Sequence, residues 1–204
     1  MSVARARLLE LLRERSFERK RVMLASGKES DFFIDCKQAV LTAEGHVVAG
    51  EAMLDALAAL PGPVAVAGVE LGGCPLASAV ALTSFRRGAP LDAIYVRKDA
   101  KDHGSRRELE GNTRLPTGAR VALLEDVVTT GGSTLKAAAK LREAGYEIAG
   151  VVALVDRLEG GREAIEGSGL KLVALFTRED FIPAGSSSAS AGGSTGATGG
   201  ARRP

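Results

Sequence analysis

The sequence predicts an α/β fold, a mostly parallel central sheet flanked by helices. Three observations carry this. Apolar runs of strand length alternate with longer stretches of helical periodicity. The strand runs, such as "VAVAGVE" and "ARVALLED", are near-continuous Val, Ala and Leu, as in strands covered on both faces. The segments that follow strands, "ELGG", "RKDAKDHG", "EDVVTTGGST" and "DRLEGG", all carry charge, and three are rich in Gly. Ligands of an open parallel sheet sit beyond the C-terminal strand ends, so function is to be sought in these four segments.

The elements follow in order. Leu8, Leu9, Leu11 and Leu12 mark a first helix that runs to about Glu18. A Ser-Gly turn comes next, then a short strand over residues 32–35. Residues 43–60 read as a helix with Thr42 as its cap and Val47, Val48, Met53, Leu54, Leu57 and Leu60 as apolar positions. Pro61-Gly62-Pro63 stops it. A strand over 64–70, a helix over 75–88 and a strand over 91–97 follow. Residues 98–111 form a charged loop. Residues 119–126 are a strand, and 133–144 are a helix stopped by Gly145. Residues 148–157 and 170–177 supply two more strands. The working domain is residues 1–183. Residues 184–204 are almost all Gly, Ser, Ala and Thr, and they read as a disordered tail, because they bury too little apolar surface to offset their ordering entropy.

Composition narrows the function classes. Hydrophobic residues make up 45% and charged residues 25%, the balance of an ordinary globular protein. The net charge of +2 is too small to argue for a nucleic-acid partner. No apolar run approaches the roughly 18 residues of a membrane span. The N-terminal stretch is charged throughout and lacks the apolar centre of a signal peptide, so the expected location is the cytoplasm, with no membrane partner. Cys36 and Cys74 are then expected to be reduced, partly buried thiols. His46 and His103 lie far apart, and no Cys/His cluster has metal-ligand spacing.

"VALLEDVVTTGGST" is the most informative stretch. Its strand delivers Glu125 and Asp126 to the sheet edge. Residues 129–133 then form a loop that enters a helix. Glycines let backbone approach a ligand closely, and a helix N-terminus offers unpaired N–H donors. Thr129, Thr130, Ser133 and Thr134 add hydroxyls. The run matches neither the P-loop nor the GxGxxG pattern, so the cradle suits one phosphate monoester. Two carboxylates beside a phosphate repel it unless they face something else, either sugar hydroxyls or a magnesium ion. A ribose 5-phosphate meets both demands. The bland alternative, a turn with solvated acids, leaves the hydroxyls and glycines unexplained.

The same run resembles the phosphoribosyl diphosphate (PRPP) signature of the type I phosphoribosyltransferases. Three more stretches narrow the resemblance. "RKDAKDHG" resembles the mobile loop of orotate phosphoribosyltransferases. "SGKESDFFID" resembles their N-terminal base-pocket segment, and "LVDRLEGG" the strand end whose Arg contacts orotate. The matching segments extend over residues 8–182, so the chain is identified as resembling the orotate phosphoribosyltransferase family.

That resemblance implies the type I phosphoribosyltransferase fold, with a small N-terminal hood of about residues 1–40 ahead of the core. It implies transfer of the 5-phosphoribosyl group of PRPP to orotate, giving orotidine 5-monophosphate and pyrophosphate, in pyrimidine biosynthesis. Glu125 and Asp126 are expected on the ribose hydroxyls. Val127, Val128, Thr129, Thr130, Gly131, Gly132 and Ser133 are expected around the 5-phosphate. Glu70, Leu71, Gly72 and Gly73 are expected to meet the pyrophosphate. Arg97, Lys98, Lys101 and His103 belong to the mobile loop. Thr129, Arg157, Phe32, Phe33 and Lys28 are expected near orotate. Lys101, His103 and Asp126 are the catalytic candidates, the first two acting on the leaving pyrophosphate, with Gly104 and Gly111 as hinges. Mg2+ is expected through PRPP and water, with no direct protein ligand. A homodimer whose loop serves the partner subunit's site is also expected. Two departures stand out. Ala25 occupies a place where some members have Lys, the basic residue here being Lys28, and the small pyrophosphate loop "VELGG" has no Lys. The competing readings are transfer to a purine or uracil, a non-catalytic PRPP-binding subunit, and an RNA-binding pyrimidine regulator. The charged loop, Arg157 and the near-neutral charge argue against them.

Overall fold

The structure, a computed structural model, describes residues 1–23, 29–98, 108–111 and 114–182. Lys28, Lys101, His103, Gly104, Ala25 and the whole of residues 184–204 lie outside the described residues.

The N-terminal part begins with helix α1 (Val3–Arg15), whose first turn is capped by Ser2 Oγ accepting from the Arg5 amide at 3.3 Å. The helix stops short of the expected Glu18. Phe17–Glu18 is instead strand β1, which pairs antiparallel with β4 (Phe33–Ile34). Between them β2 (Val22–Met23) and β3 (Glu29–Ser30) form a second antiparallel pair. Helix α2 (Lys37–Val40) leads into α3 (Ala43–Leu57), and Thr42 Oγ1 accepts from the Gly45 amide at 3.0 Å, the cap that the sequence predicts.

The core then alternates strand and helix: β5 (Ala65–Val69), α4 (Gly73–Arg86), β6 (Asp92–Val96), β7 (Leu109–Glu110), β8 (Arg120–Val128), α5 (Gly132–Glu143), β9 (Glu147–Asp156), α6 (Gly161–Gly167) and β10 (Leu172–Thr177). A 3-10 turn (Arg178–Asp180) follows, closed by a capping box between Thr177 and Asp180. The main sheet has the order β10-β9-β8-β5-β6-β7, and every pair is parallel except β6 with β7. Residues along β8 serve the two faces alternately. Ala122 and Leu124 join α1, α3 and α4 on one face, with Leu8, Met53 and Leu76, while Val121 and Leu123 meet α5 and α6 on the other, with Ala138, Leu141 and Ile165. Both layers exclude water, which is why the strands read as continuous apolar runs.

Chain order reverses between β5 and β8. From β5 the chain goes to β6 on one side, then crosses back to β8 on the other. A crevice opens at the C-terminal ends of strands at such a switch point. Residues 70–73 and 129–133 both leave their strands into it, and Glu125 and Asp126 lie at its edge near the end of β8.

Candidate active site

Strand β8 runs two residues further than expected. Val127 and Val128 still pair with Val155 and Asp156 of β9, and Val128 is buried, so these two side chains belong to the core rather than to the cradle. The loop proper is residues 129–131. Gly131 takes the left-handed conformation, φ 78°, that turns the chain into α5 at Gly132. Gly161 fits under this loop, because a Cβ there would lie 2.6 Å from the Thr129 carbonyl oxygen. Thr130, Gly132 and Ser133 are exposed at the open end of α5.

The two acids differ in environment. Glu125 is only 5% exposed. Its Oε2 accepts from Ser133 Oγ at 3.3 Å and from Thr134 Oγ1 at 3.1 Å. Burial, then the neighbouring Asp126 charge, push its carboxyl up from 4.5 to about 8, and the two hydroxyls oppose the rise. Thr134 is fully buried, so its hydroxyl serves Glu125 and not a phosphate, contrary to the sequence expectation. Asp126 is half-buried, with Oδ1 accepting from the Val127 amide at 2.9 Å. Its carboxylate rests against Gly72, where a Cβ would come within 1.9 Å of Oδ2. Residues 70–73 thus pack directly on the second acid. The Glu70–Leu71 peptide is cis, and Glu70 Oε2 accepts from the Lys98 amide at 2.9 Å.

Lys98 and Arg97 are tied down by a residue that sequence reasoning missed. Lys140 Nζ on α5 donates to the Arg97 carbonyl at 2.8 Å and the Lys98 carbonyl at 2.9 Å, and it meets Glu108 Oε1 at 3.1 Å. It clasps both described ends of the charged segment. Beside it, a cavity of about 320 Å3 is lined by Arg97, Lys98, Ser133, Lys136 and Lys140 among others. This strongly basic hollow continues the cradle towards β5 and β6 and suits an anion.

On the other side of the cradle, the register Val128↔Asp156 and the Arg157 amide donating to the Val128 carbonyl at 3.0 Å set Arg157 beside Thr129. Arg157 is nearly buried, and its Nη2 donates to the Phe32 carbonyl at 3.0 Å. Phe32 departs from its expected role. Its ring is fully buried in a cluster with Phe17 and Phe181, at centroid distances of 5.2 and 5.7 Å, so it seats Arg157 and does not face a base. Phe33 is half-buried, with Lys20 Nζ 3.9 Å from its ring centre. Glu159, also unforeseen, meets Arg157 Nη2 at 2.9 Å. The acid following "DR" is visible in the sequence, but its direction is not. Cys36 and Cys74 are free thiols, as expected, and both are buried.

Comparison with known proteins points to one family. The family model described as phosphoribosyl transferase domain matches residues 56–168. The orotate phosphoribosyltransferase of Sorangium cellulosum (strain So ce56) is 70% identical over 179 residues, which is 88% of this chain and 93% of the relative. Among solved structures, the orotate phosphoribosyltransferase of Mycobacterium tuberculosis H37Rv in complex with Fe(III) dicitrate is similar at a TM-score of 0.75 and 38% identity, covering 88% of this chain and 99% of that one. Its complex with 5-phospho-alpha-D-ribosyl 1-diphosphate (PRPP) gives a TM-score of 0.71 at 34% identity, covering 87% and 98%.

Proposed function

This chain belongs to the phosphoribosyl transferase family, among its orotate phosphoribosyltransferases, and from that premise we propose how its residues carry out the transfer. The reaction moves the 5-phosphoribosyl group of PRPP to orotate N1, giving orotidine 5-monophosphate and pyrophosphate, in pyrimidine biosynthesis. The observation that carries the residue assignment is the side-by-side placement of three groups. The acid pair lies near the C-terminal end of β8, the hydroxyl and Gly loop opens α5, and Arg157 directly follows the adjacent β9.

The 5-phosphate is held by the N–H groups of residues 129–133 and the exposed hydroxyl of Thr130, and the Ser133 hydroxyl joins them by turning its hydrogen from Glu125 to the phosphate. Glu125 and Asp126 accept from the ribose hydroxyls. Residues 70–73 and the basic hollow around Arg97 and Lys98 take the pyrophosphate. Arg157 takes the orotate carboxylate, with Thr129, Phe33 and Lys28 around the ring. No nucleophilic side chain is needed. As the ribose–pyrophosphate bond breaks, positive charge grows on the sugar beside Asp126, and negative charge on the leaving group is met by Lys101 and His103. Closure of the charged segment excludes water, which otherwise hydrolyses PRPP.

The donors at the end of β8 are Glu125, already accepting two hydroxyls, and Asp126. This fits magnesium brought by PRPP, which keeps several of its waters. When bound, it supplies neutralisation of the pyrophosphate charge.

A homodimer is supported by two outward apolar side chains on α4, Leu82 and Phe85, which are 50% and 72% exposed. The charged segment is proposed to serve the partner subunit's site. Among the described residues no helix is long and apolar enough to cross a membrane, and the proposed location is the cytoplasm.

The test is loss of orotate absorbance on adding PRPP and magnesium, with uracil, adenine and hypoxanthine as controls. Magnesium-dependent loss with orotate alone is expected. PRPP binding without turnover would overturn the catalytic reading and favour a regulator, with RNA binding as the next measurement.

A further inference from the structure

The guanidinium proposed to choose the base is already engaged. Arg157 Nη2 donates to the Phe32 carbonyl at 3.0 Å and meets Glu159 Oε1 at 2.9 Å. An Nη group carries two hydrogens, so these two contacts use both. The two side chains are nearly out of water, with exposures of 10% and 16%. Glu159 Oε2 is buried and makes no hydrogen bond among the described residues.

This arrangement is built by an uncommon turn. Leu158, between the two charged residues, has a φ of 58°, in the left-handed region that bulky L residues rarely enter. Its own side chain is 48% exposed, so burial of Leu158 does not explain the conformation. The backbone is locked by fully buried Asp156. Its Oδ1 accepts from the Leu158 amide at 2.9 Å, and its Oδ2 accepts from Arg162 Nε at 3.0 Å. The turn sends Glu159 back onto Arg157. Strain of this kind persists only where surrounding structure enforces it, and it points to a use.

We propose that Glu159 is a positioning residue that stands in for the carboxylate of the substrate. It holds Arg157 in the empty site and gives way when orotate's carboxylate takes the same Nη2 hydrogen. The proposal rests on the reading that Arg157 binds orotate. A neutral pyrimidine offers no anion to exchange, so the Arg157–Glu159 pair stays closed against it. An acidic pyrimidine replaces one carboxylate with another, so Arg157 keeps an anionic partner throughout the exchange. On the way out, Glu159 competes for Arg157 and helps release the product.

The test compares steady-state kinetics of the wild type with Glu159→Gln, Glu159→Ala, Arg157→Ala and the double variant Arg157→Ala/Glu159→Gln. Removing the competing anion unmasks Arg157, so KM for orotate is expected to fall about threefold to tenfold in Glu159→Gln. Inhibition by orotidine 5-monophosphate tightens by a similar factor, and KM for PRPP does not change. Glu159→Ala is the second variant, because a Gln side chain still accepts from Nη2. In the Arg157→Ala background, Glu159→Gln leaves orotate kinetics unaltered. A group that merely props Arg157 would behave oppositely. An orotate KM that rises or stays constant in both single Glu159 variants overturns the stand-in and leaves the Arg157 assignment intact. An orotate KM untouched by Arg157→Ala removes the assignment itself, and the proposal with it.

Discussion

Gly72→Ala separates the site from the scaffold. A Cβ on Gly72 would lie 1.9 Å from Asp126 Oδ2, 2.2 Å from its Cγ and 2.6 Å from Oδ1. Van der Waals contact begins near 3.4 Å, so the carboxylate must retreat by about 1.5 Å. The backbone does not confuse the result, since Gly72 has φ −69° and ψ −32°, which Ala adopts without strain. The three nearest atoms that the new Cβ meets all belong to the Asp126 side chain. Asp126 is half-buried at the crevice mouth and has somewhere to go, so folding stability should change by less than about 1 kcal/mol. Catalysis should suffer much more, because a misplacement of about 1 Å in a positioned group costs about 10²-fold. The control is Gly68→Ala, where a Cβ would lie 2.1 Å from the Gly73 carbonyl oxygen and 2.4 Å from its carbon. Backbone there cannot yield cheaply, and about 1–3 kcal/mol of stability or more should be lost. The assay is kcat/KM for PRPP alongside thermal denaturation. A folded Gly72→Ala protein with wild-type PRPP kinetics would refute the placement of Asp126 at the sugar. A melting loss equal to that of Gly68→Ala would make the contact structural.

Two further outcomes follow from the same geometry, and a third from the role proposed for Lys101. The Glu125 carboxyl, raised from 4.5 to about 8, keeps a proton in the folded state that the unfolded chain releases. Stability therefore falls as pH rises through that window, and Glu125→Gln should flatten the decline; parallel melting profiles for the two proteins from about pH 5 to 9 would contradict the buried proton. Lys140→Ala removes three contacts to Arg97, Lys98 and Glu108, so it should lose about 1–3 kcal/mol of stability and lower kcat about tenfold, and an unchanged kcat would deny the clasp any part in turnover. Lys101→Ala should cut kcat far more than it weakens PRPP binding, and wild-type turnover would take Lys101 away from the leaving group.

The parts that were legible in the sequence are those encoded locally. Residues 65–69 and 120–124 are buried almost throughout, so their composition alone marks strands between two layers. The acid pair and the hydroxyl loop lie within ten residues of chain and announce their chemistry by spacing. Helix α6 did not, because "GREAIEG" has a single buried apolar side chain, Ile165, and no repeat to read. Strands β1, β2, β3 and β7 have two residues each, which leaves no periodicity. Strand β8 outran its expected end because Val127 and Val128 find partners on β9, a tertiary fact. The Arg157 bond to the Phe32 carbonyl spans 125 residues, and the Lys140 bonds span 42 and 43. No single sequence shows such pairings. Glu159 is close to Arg157 in sequence, yet only the left-handed Leu158 turns it inward.

Glu125 also resolves the difficulty that the sequence raises, two carboxylates beside a phosphate. With its proton retained up to about pH 8, the empty site near neutrality presents mainly the single charge of Asp126. Ser133 and Thr134 donate to Glu125 from the first turn of α5, so the phosphate cradle and the buried acid share one helix end. A phosphorylated sugar therefore approaches the positive end of α5 against one charge rather than two. When magnesium and ribose hydroxyls arrive, they favour the ionised form of Glu125, and the proton leaves. PRPP–magnesium binding should then release protons near pH 7, read as a dependence of the calorimetric binding heat on buffer ionisation enthalpy. Glu125→Gln should abolish that dependence. A wild-type heat that is the same in all buffers would mean that Glu125 is already ionised in the empty site, and that the repulsion is met by cations alone.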